Sequence, residues 1–319
     1  MTNHVPQPYS ISADERYIRQ RKVDNVSSAV VYIGEHMSAS ATDTSGGWRI
    51  KRISIDGSVV TEQVAKDGQF TCVWANRTSY FPPPPTPGFT NTKSLLFDGT
   101  NDVLITTALN HFRYERTDTF SFSCWINLVS VTGIQYIVTN KTSTATSRGW
   151  GIQSNAGVIT VYLTSSTGNG ITLSRTSAIS ANTWYHLVVT YDGSSNAAGV
   201  QVYLNGLVQP VNITLNALTG TMLSTNNVVI GGAANNTNYF NGHMDEISFY
   251  NTVLTPAQVT TLYNSGHPGD LATIPFYSNL VAWYRCGDVD IHPGVFDQKG
   301  TFDLVMTNMI PGNFTTVVP

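Results

Sequence analysis

The chain has 319 residues, of which 41% are hydrophobic and 12% charged, with a formal net charge of −3 at pH 7. That length exceeds a typical single domain and accommodates one large sandwich plus an accessory module. The composition excludes a disordered chain, and the lack of any Lys/Arg block leaves nothing for a nucleic acid or an anionic membrane surface to hold. Thr, Ser, Asn and Gly are abundant, as in short strands joined by polar turns.

The opening run, Met1 to Gln20, has no apolar segment of the kind a secretory signal carries. No apolar run approaches the roughly 18 residues that a membrane helix needs. The expectation is synthesis in a reducing cytoplasm, without membrane insertion. Cys72, Cys124 and Cys286 are widely spaced and odd in number, so they read as small buried hydrophobes, not as a disulfide framework or a zinc site. Sequons such as those at Asn76 and Asn212 are set aside as chance in an Asn- and Thr-rich chain.

In chain order, Ser12-Ala-Asp-Glu15 is a capping-box pattern and predicts a short helix through about Arg21. Strands follow at 29–33, 48–55 and 59–64, with Asp56-Gly57 as a tight-turn signal. Residues 1–80 therefore form a small β-rich module that leads with a helix. The Pro-rich stretch Phe81 to Gly88, within a linker at 81–92, reads as a stiff polyproline spacer.

Beyond it the chain runs strand after strand. Ser94 to Ile105 gives two strands around a turn. Thr119 to Ile126 alternates cleanly, placing Phe120, Phe122, Cys124 and Ile126 on one face. Thr183–Tyr191 and Gly199–Gly206 read as a long hairpin, with Asn205-Gly206 as the next tight turn. Asn227–Gly232 and His243–Tyr250 follow. One helix interrupts, with Thr255 as its cap, Pro256 at its first position and Tyr263–Gly266 as its end. Many strands with one late helix predict an all-β sandwich over 93–270, with 271–319 as a C-terminal extension packing on it.

Four stretches in this order resemble the signature of concanavalin A-like, LamG-type jelly rolls. They are Leu96-Phe-Asp-Gly-Thr-Asn-Asp102, Phe120-Ser-Phe-Ser-Cys-Trp-Ile126, Thr183 to Gly193 with Val202 to Gly206, and Gly242 to Asn251 with its capped helix. The flanks are similar to segments of tailed-phage virion proteins: Leu280 to Asp288, Asp297 to Gly300 and Met306 to Met309 behind, and Tyr32-Ile-Gly34, Gly47 to Ile53 and Trp74 to Arg77 ahead. The resemblance implies a non-enzymatic virion structural protein, such as a head decoration, head or neck fibre, or tail appendage. Its partners would be other virion proteins, further copies of itself (a trimer as first expectation) and host-surface glycans. The other reading open at this point is a cell-surface carbohydrate-binding adhesin; a glycoside hydrolase ranks below both.

Glycosidases on this sandwich need two carboxylates flanking one bond, in the pattern Glu-x-Asp-x-x-Glu, and the sequence lacks it. The nearest pair, Asp245-Glu246, is consecutive, and on a regular strand its members point to opposite faces. No histidine spacing suggests a metal, and neither a phosphate loop nor a nucleophile elbow is present. No cofactor is required on this reading. The resemblance also implies a structural Ca²⁺ at the rim, with Asp98, Asp102 and Asp245 as ligands by motif position. The alternative for these carboxylates is the fixing of turns. For glycans, Tyr136, Trp150 and Tyr239, read as lying in or beside loops, are the candidate stacking residues, although Trp150 beside a strand equally suits a core.

Overall fold

A computed structural model describes residues 20–27, 30–36, 48–56, 59–64, 89–107, 112–142, 144, 147–300 and 302–319. The chain divides into two compact units, Met1–Phe89 and Thr90–Pro319.

In the first unit, β1 (Gln20–Ser27), β2 (Val30–His36), β3 (Trp48–Asp56) and β4 (Val59–Val64) form an antiparallel meander in sequence order. Trp48 and Ile50, two apart on β3, are fully buried, and His36 meets the Trp48 ring edge-on at 5.1 Å. The helix expected through Arg21 is corrected at its end: Gln20 and Arg21 open β1, because they pair with His36 and Glu35 of β2. The rest of that helix, Cys72 and the prolines of Phe81 to Gly88 lie outside the described residues.

The second unit contains β5 (Ser94–Asp98), β6 (Val103–Thr106), β7 (Phe120–Leu128), β8 (Ile134–Thr139), β9 (Gly149–Asn155), β10 (Val158–Ser166), β11 (Asn169–Arg175), β12 (Tyr185–Tyr191), β13 (Val200–Leu204), β14 (Leu207–Val208), β15 (Val211–Asn216), β16 (Val229–Ile230) and β17 (Asn241–Tyr250). After helix α1 (Pro256–Tyr263) come β18 (Leu280–Tyr284), β19 (Gly294–Val295), β20 (Leu304–Thr307) and β21 (Phe314–Thr315). One sheet has the order β15-β11-β10-β9-β8-β16-β6-β20-β19. The other is β14-β13-β12-β7-β17-β5-β21, with β18 also paired to β17. This is an all-β sandwich of the concanavalin A-like type.

The core forms where apolar faces of the two sheets meet. Phe120, Phe122, Cys124 and Ile126 alternate into it from β7, and Ile152, Ile159, Val161 and Leu163 join it from the larger sheet. Every residue of β7 is nonetheless buried, because its other face is covered as well. There Trp125 stacks on Tyr263 of α1 at 5.9 Å, and His186 lies against both rings. The Thr255 hydroxyl accepts the Gln258 amide at 3.3 Å while the Gln258 side chain accepts the Thr255 amide at 2.8 Å, so the helix starts as its sequence dictates. Asn205 and Gly206, at φ 50° and 80°, make the two-residue turn between β13 and β14.

Residues 271–319 are not an extension laid on a finished sandwich. β20 pairs with β6 in one sheet and β21 with β5 in the other, so this segment is woven into both. Cys124 and Cys286 are buried free thiols.

Candidate functional site

β17 carries a bulge. Between its pairs Asp245–Trp125 and Ser248–Ser123 with β7, it advances three residues against two, and Glu246 takes φ 47°. Met244 and Ile247 both enter the core, while Asp245 and Glu246 between them turn to polar partners. The opposite-face expectation for this pair is thereby corrected.

The Glu246 carboxylate accepts the Trp283 indole N–H and the Arg285 Nε at 3.2 Å. Arg285 Nη2 donates to Asp288 at 2.8 Å and also reaches the Thr90 carbonyl. Asp245 accepts Asn91 Nδ2 and the Glu246 amide, each at 2.8 Å. Burial pushes the Asp245 carboxyl well above its usual range, with the Glu246 charge adding to the effect. Burial also pushes Glu246 up to about 7, against the pull of Arg285. The pair is sealed beneath Asn91, Trp283 and Arg285, which is not how a dyad flanks a substrate bond.

The three carboxylates expected around Ca²⁺ are not brought together. Asp98 pairs with Asn241, four residues from Asp245 along β17, or roughly 13 Å at strand rise. Asp98 Oδ1 accepts the amides of Thr100 and Asn101 at 2.7 and 3.2 Å, an Asx turn. Asp102 is buried, accepting the Asp98 amide at 3.1 Å and Asn313 Nδ2 at 2.9 Å. Among the described residues, no group of three His, Cys, Asp or Glu side chains could hold a metal. The trio does not fit an ion that takes six to eight oxygens in one shell. Exchanging millimolar CaCl₂ for EDTA is accordingly expected to move the unfolding temperature by less than about 2 °C, whereas a site of 100-fold excess occupancy would add near 3 kcal/mol. A calcium-dependent rise of several degrees would contradict this reading.

The three candidate aromatics have different fates. Trp150 is 1% exposed within β9; its indole N–H donates to the Phe112 carbonyl at 2.9 Å, and its ring lies 5.5 Å from Phe120. It is a core residue. Tyr136 is also buried, in β8 and not in a loop, and burial pushes its hydroxyl up to about 12. Neither can stack on a sugar as placed.

Tyr239 is part-exposed and lines an open hollow of about 280 Å³ with Gly99, Ser130, Thr132, Ile134, Gln135, Asn238 and Asn241. Gln135 organises it: its Nε2 donates to the carbonyls of Ser130 and Thr132 at 2.7 and 3.1 Å, and its Oε1 accepts the Asn241 amide at 2.8 Å. Two glycines make room. A Cβ at Gly99 would sit 2.7 Å from Asn241 Cβ, and one at Gly232 would sit 3.1 Å from the Tyr239 ring. The lining is uncharged: one aromatic ring, the half-exposed Ile134, amides and hydroxyls. Such groups can cover an apolar sugar face and meet neutral hydroxyls.

The sequence profile of the Concanavalin A-like lectin/glucanases superfamily matches residues 98–260, about half of the chain. The chain belongs to that superfamily. Among solved structures, it is similar to a Bacteroides ovatus protein provisionally described as carbohydrate binding, at 16% identity and a TM-score of 0.50, covering 90% of this chain and 68% of that one. It is also similar to the heptameric SAP-like pentraxin of Limulus polyphemus, at 15% identity and TM-score 0.43, over 67% and 95% of the two chains. A third is the CBM40 of a Ruminococcus gnavus IT-sialidase, at 18% identity and TM-score 0.37, over 46% and 83%. Likeness at these identities is likeness of fold. No curated protein matches the chain significantly.

On this superfamily sandwich, the hollow-lining residues that the sequence does not single out come from separate elements, β8, the start of β17 and the turn before it. Gln135, Asn238 and Asn241 lie among many Asn and Gln in the sequence, and nothing local marks them. Tyr239 is the lining residue that the sequence does single out, because an aromatic in an Asn-rich turn is conspicuous.

Proposed function

We propose that this chain is a non-catalytic, lectin-like protein that binds a neutral saccharide in the hollow at Tyr239. The observation that carries the reading is an open, uncharged hollow pairing one accessible ring with amides and hydroxyls, on a scaffold where, among the described residues, the one adjacent acidic pair on a strand is buried among protein partners. Glycan-array screening followed by calorimetry tests it. Tyr239→Ala is expected to weaken the best neutral ligand at least tenfold with an unchanged unfolding temperature. Undiminished binding by that variant would end the assignment to this hollow.

We also propose the setting: a phage virion structural protein, in copies assembled as a homo-oligomer, with the sandwich presenting its hollow to host-surface glycans. What supports it is the resemblance of both flanking sequences to virion segments and the proline-rich sequence Phe81 to Gly88 that precedes the sandwich. Light scattering of the full chain is expected to give a closed oligomer, with a trimer as first expectation. A strict monomer that binds glycans would favour the free-standing adhesin instead.

A further inference from the structure

The sandwich is open at one end. β14 is the outermost strand of one sheet and β15 of the other, and only Gln209 and Pro210 separate them, so the free edges of the two sheets lie side by side. Residues opposite each other in an antiparallel pair share a face. Leu207 pairs with Leu204 and Ile213 with Leu173, and both partners are core residues. By register Leu207 and Ile213 therefore face the interior, yet they are 71% and 51% exposed. Val208, on the other face of β14, is 57% exposed. The apolar interior thus continues to the surface at this end.

The surround is polar without charge. Gln209, Asn212, Thr214 and Asn216 stand on β15 and the link before it, and from Gly193 to Met244 the sequence contains no Asp, Glu, Lys or Arg, its longest such run. On the neighbouring β11 the one cation, Arg175, is half-buried and donates to Gln209 Oε1 at 3.0 Å. An apolar centre with a neutral polar rim is the anatomy of a protein–protein contact, whose core is depleted of charge. Beside β19, at the other end of the larger sheet, Ile291 is 74% exposed, but it is set in sequence among Asp288, Asp290, Lys299 and Asp303. The occupant that matches the β14–β15 end is a second copy. It brings the same uncharged surface, so copies of a chain of net charge −3 meet there without like-charge repulsion and without burying an unpaired charge.

We propose that the β14–β15 end is the interface through which copies of this chain join. The inference rests on the homo-oligomer reading above and assigns that assembly its surface. In a three-fold assembly, three such ends converge on the axis and close the core that each leaves open. β8, which brings Gln135 to the Tyr239 hollow, is four strand spacings from β15, roughly 19 Å. Copies joined in this way keep their hollows clear of the contact, and several hollows on one body raise avidity with no new contact to the ligand.

Sedimentation velocity of the full chain over a dilution series tests the interface. The wild type is expected to sediment as an oligomer, and the double variant Leu207→Glu/Ile213→Glu to dissociate at concentrations at least roughly 100-fold higher, since each copy would bury two unpaired charges. Both positions are exposed, so the near-UV circular dichroism of the variant is expected to match the wild type. Ile291→Glu, a control at a position just as exposed, is expected to leave the assembly intact. Should the glutamate variant fail to fold, Leu207→Ser/Ile213→Ser carries the test, with a shift of about tenfold expected. An oligomer undisturbed by the folded variants, or dissociated as strongly by Ile291→Glu, would overturn this surface while the homo-oligomer reading stood. A wild type that stays monomeric at every concentration would overturn both and leave the open end to a different protein.

Discussion

Trp150→Ala is expected to destabilise the sandwich by about 3–5 kcal/mol, lowering the unfolding temperature by roughly 10 °C or more. The ring fills space among Tyr114, Phe120 and Phe249, at centroid distances of 5.6, 5.5 and 6.4 Å. Removing it leaves a large cavity, and the Phe112 carbonyl loses its donor in an apolar surround. Trp150→Phe separates these contributions, since it keeps much of the volume and loses only the hydrogen bond; about 1–2 kcal/mol is expected. Thermal and urea unfolding measure both. A Trp150→Ala protein that keeps its stability but loses sugar binding would return this residue to the glycan-binding set.

Arg285→Ala is expected to cost about 3–5 kcal/mol at pH 8, because a buried ion pair broken on one side leaves its partner charge stranded. Here the guanidinium serves both Glu246 and Asp288, with side-chain exposures of 13%, 5% and 6% for the three groups. The loss is expected to depend on pH. Burial holds Glu246 up to about 7 and Asp290 up to about 6, whereas the unfolded chain releases these protons near 4.5 and 3.8. Between those limits the native state retains protons that the unfolded state has lost. The stabilisation is therefore fully present below the unfolded values and drains away as pH rises through the folded ones, about 3 kcal/mol for Glu246. Buried His186, held down to about 3, works against this below its unfolded value of 6.5, so the expected readout is the variant's: the Arg285→Ala penalty shrinks at pH 5. A penalty equal at both pH values would mean that Arg285 acts through the packing of its stem.

Where one face of a strand is apolar, the sequence reveals it, as the alternation of Phe120 to Ile126 and the Thr255 cap demonstrate. β8 to β11 are far less legible. Runs such as Gly149-Trp-Gly-Ile-Gln-Ser-Asn155 and Asn169-Gly-Ile-Thr-Leu-Ser-Arg175 interleave glycine, hydroxyl and amide residues with few apolar ones. β1, with the sequence QRKVDNVS, has almost no apolar marker and exists because β2 pairs with it. The bulge at Glu246 is hidden for another reason. It is set by how β17 fits between β5, β7 and β18, and no turn residue announces it. The Tyr239 hollow is harder still, since Gln135 ties together loops that are separate in the chain.

The weaving of residues 304–315 into both sheets has a bearing on how the protein is born. Asn313 bonds to the Leu96 carbonyl across 217 residues of chain, and the neighbouring β21 closes the edge that β5 would otherwise leave open. A ribosome delivers β5 and β6 long before the strands that flank them exist. Until then the nascent sandwich carries unpaired borders on both sheets, at the stage when non-native pairing with another chain is easiest. Completion waits on β20 and β21.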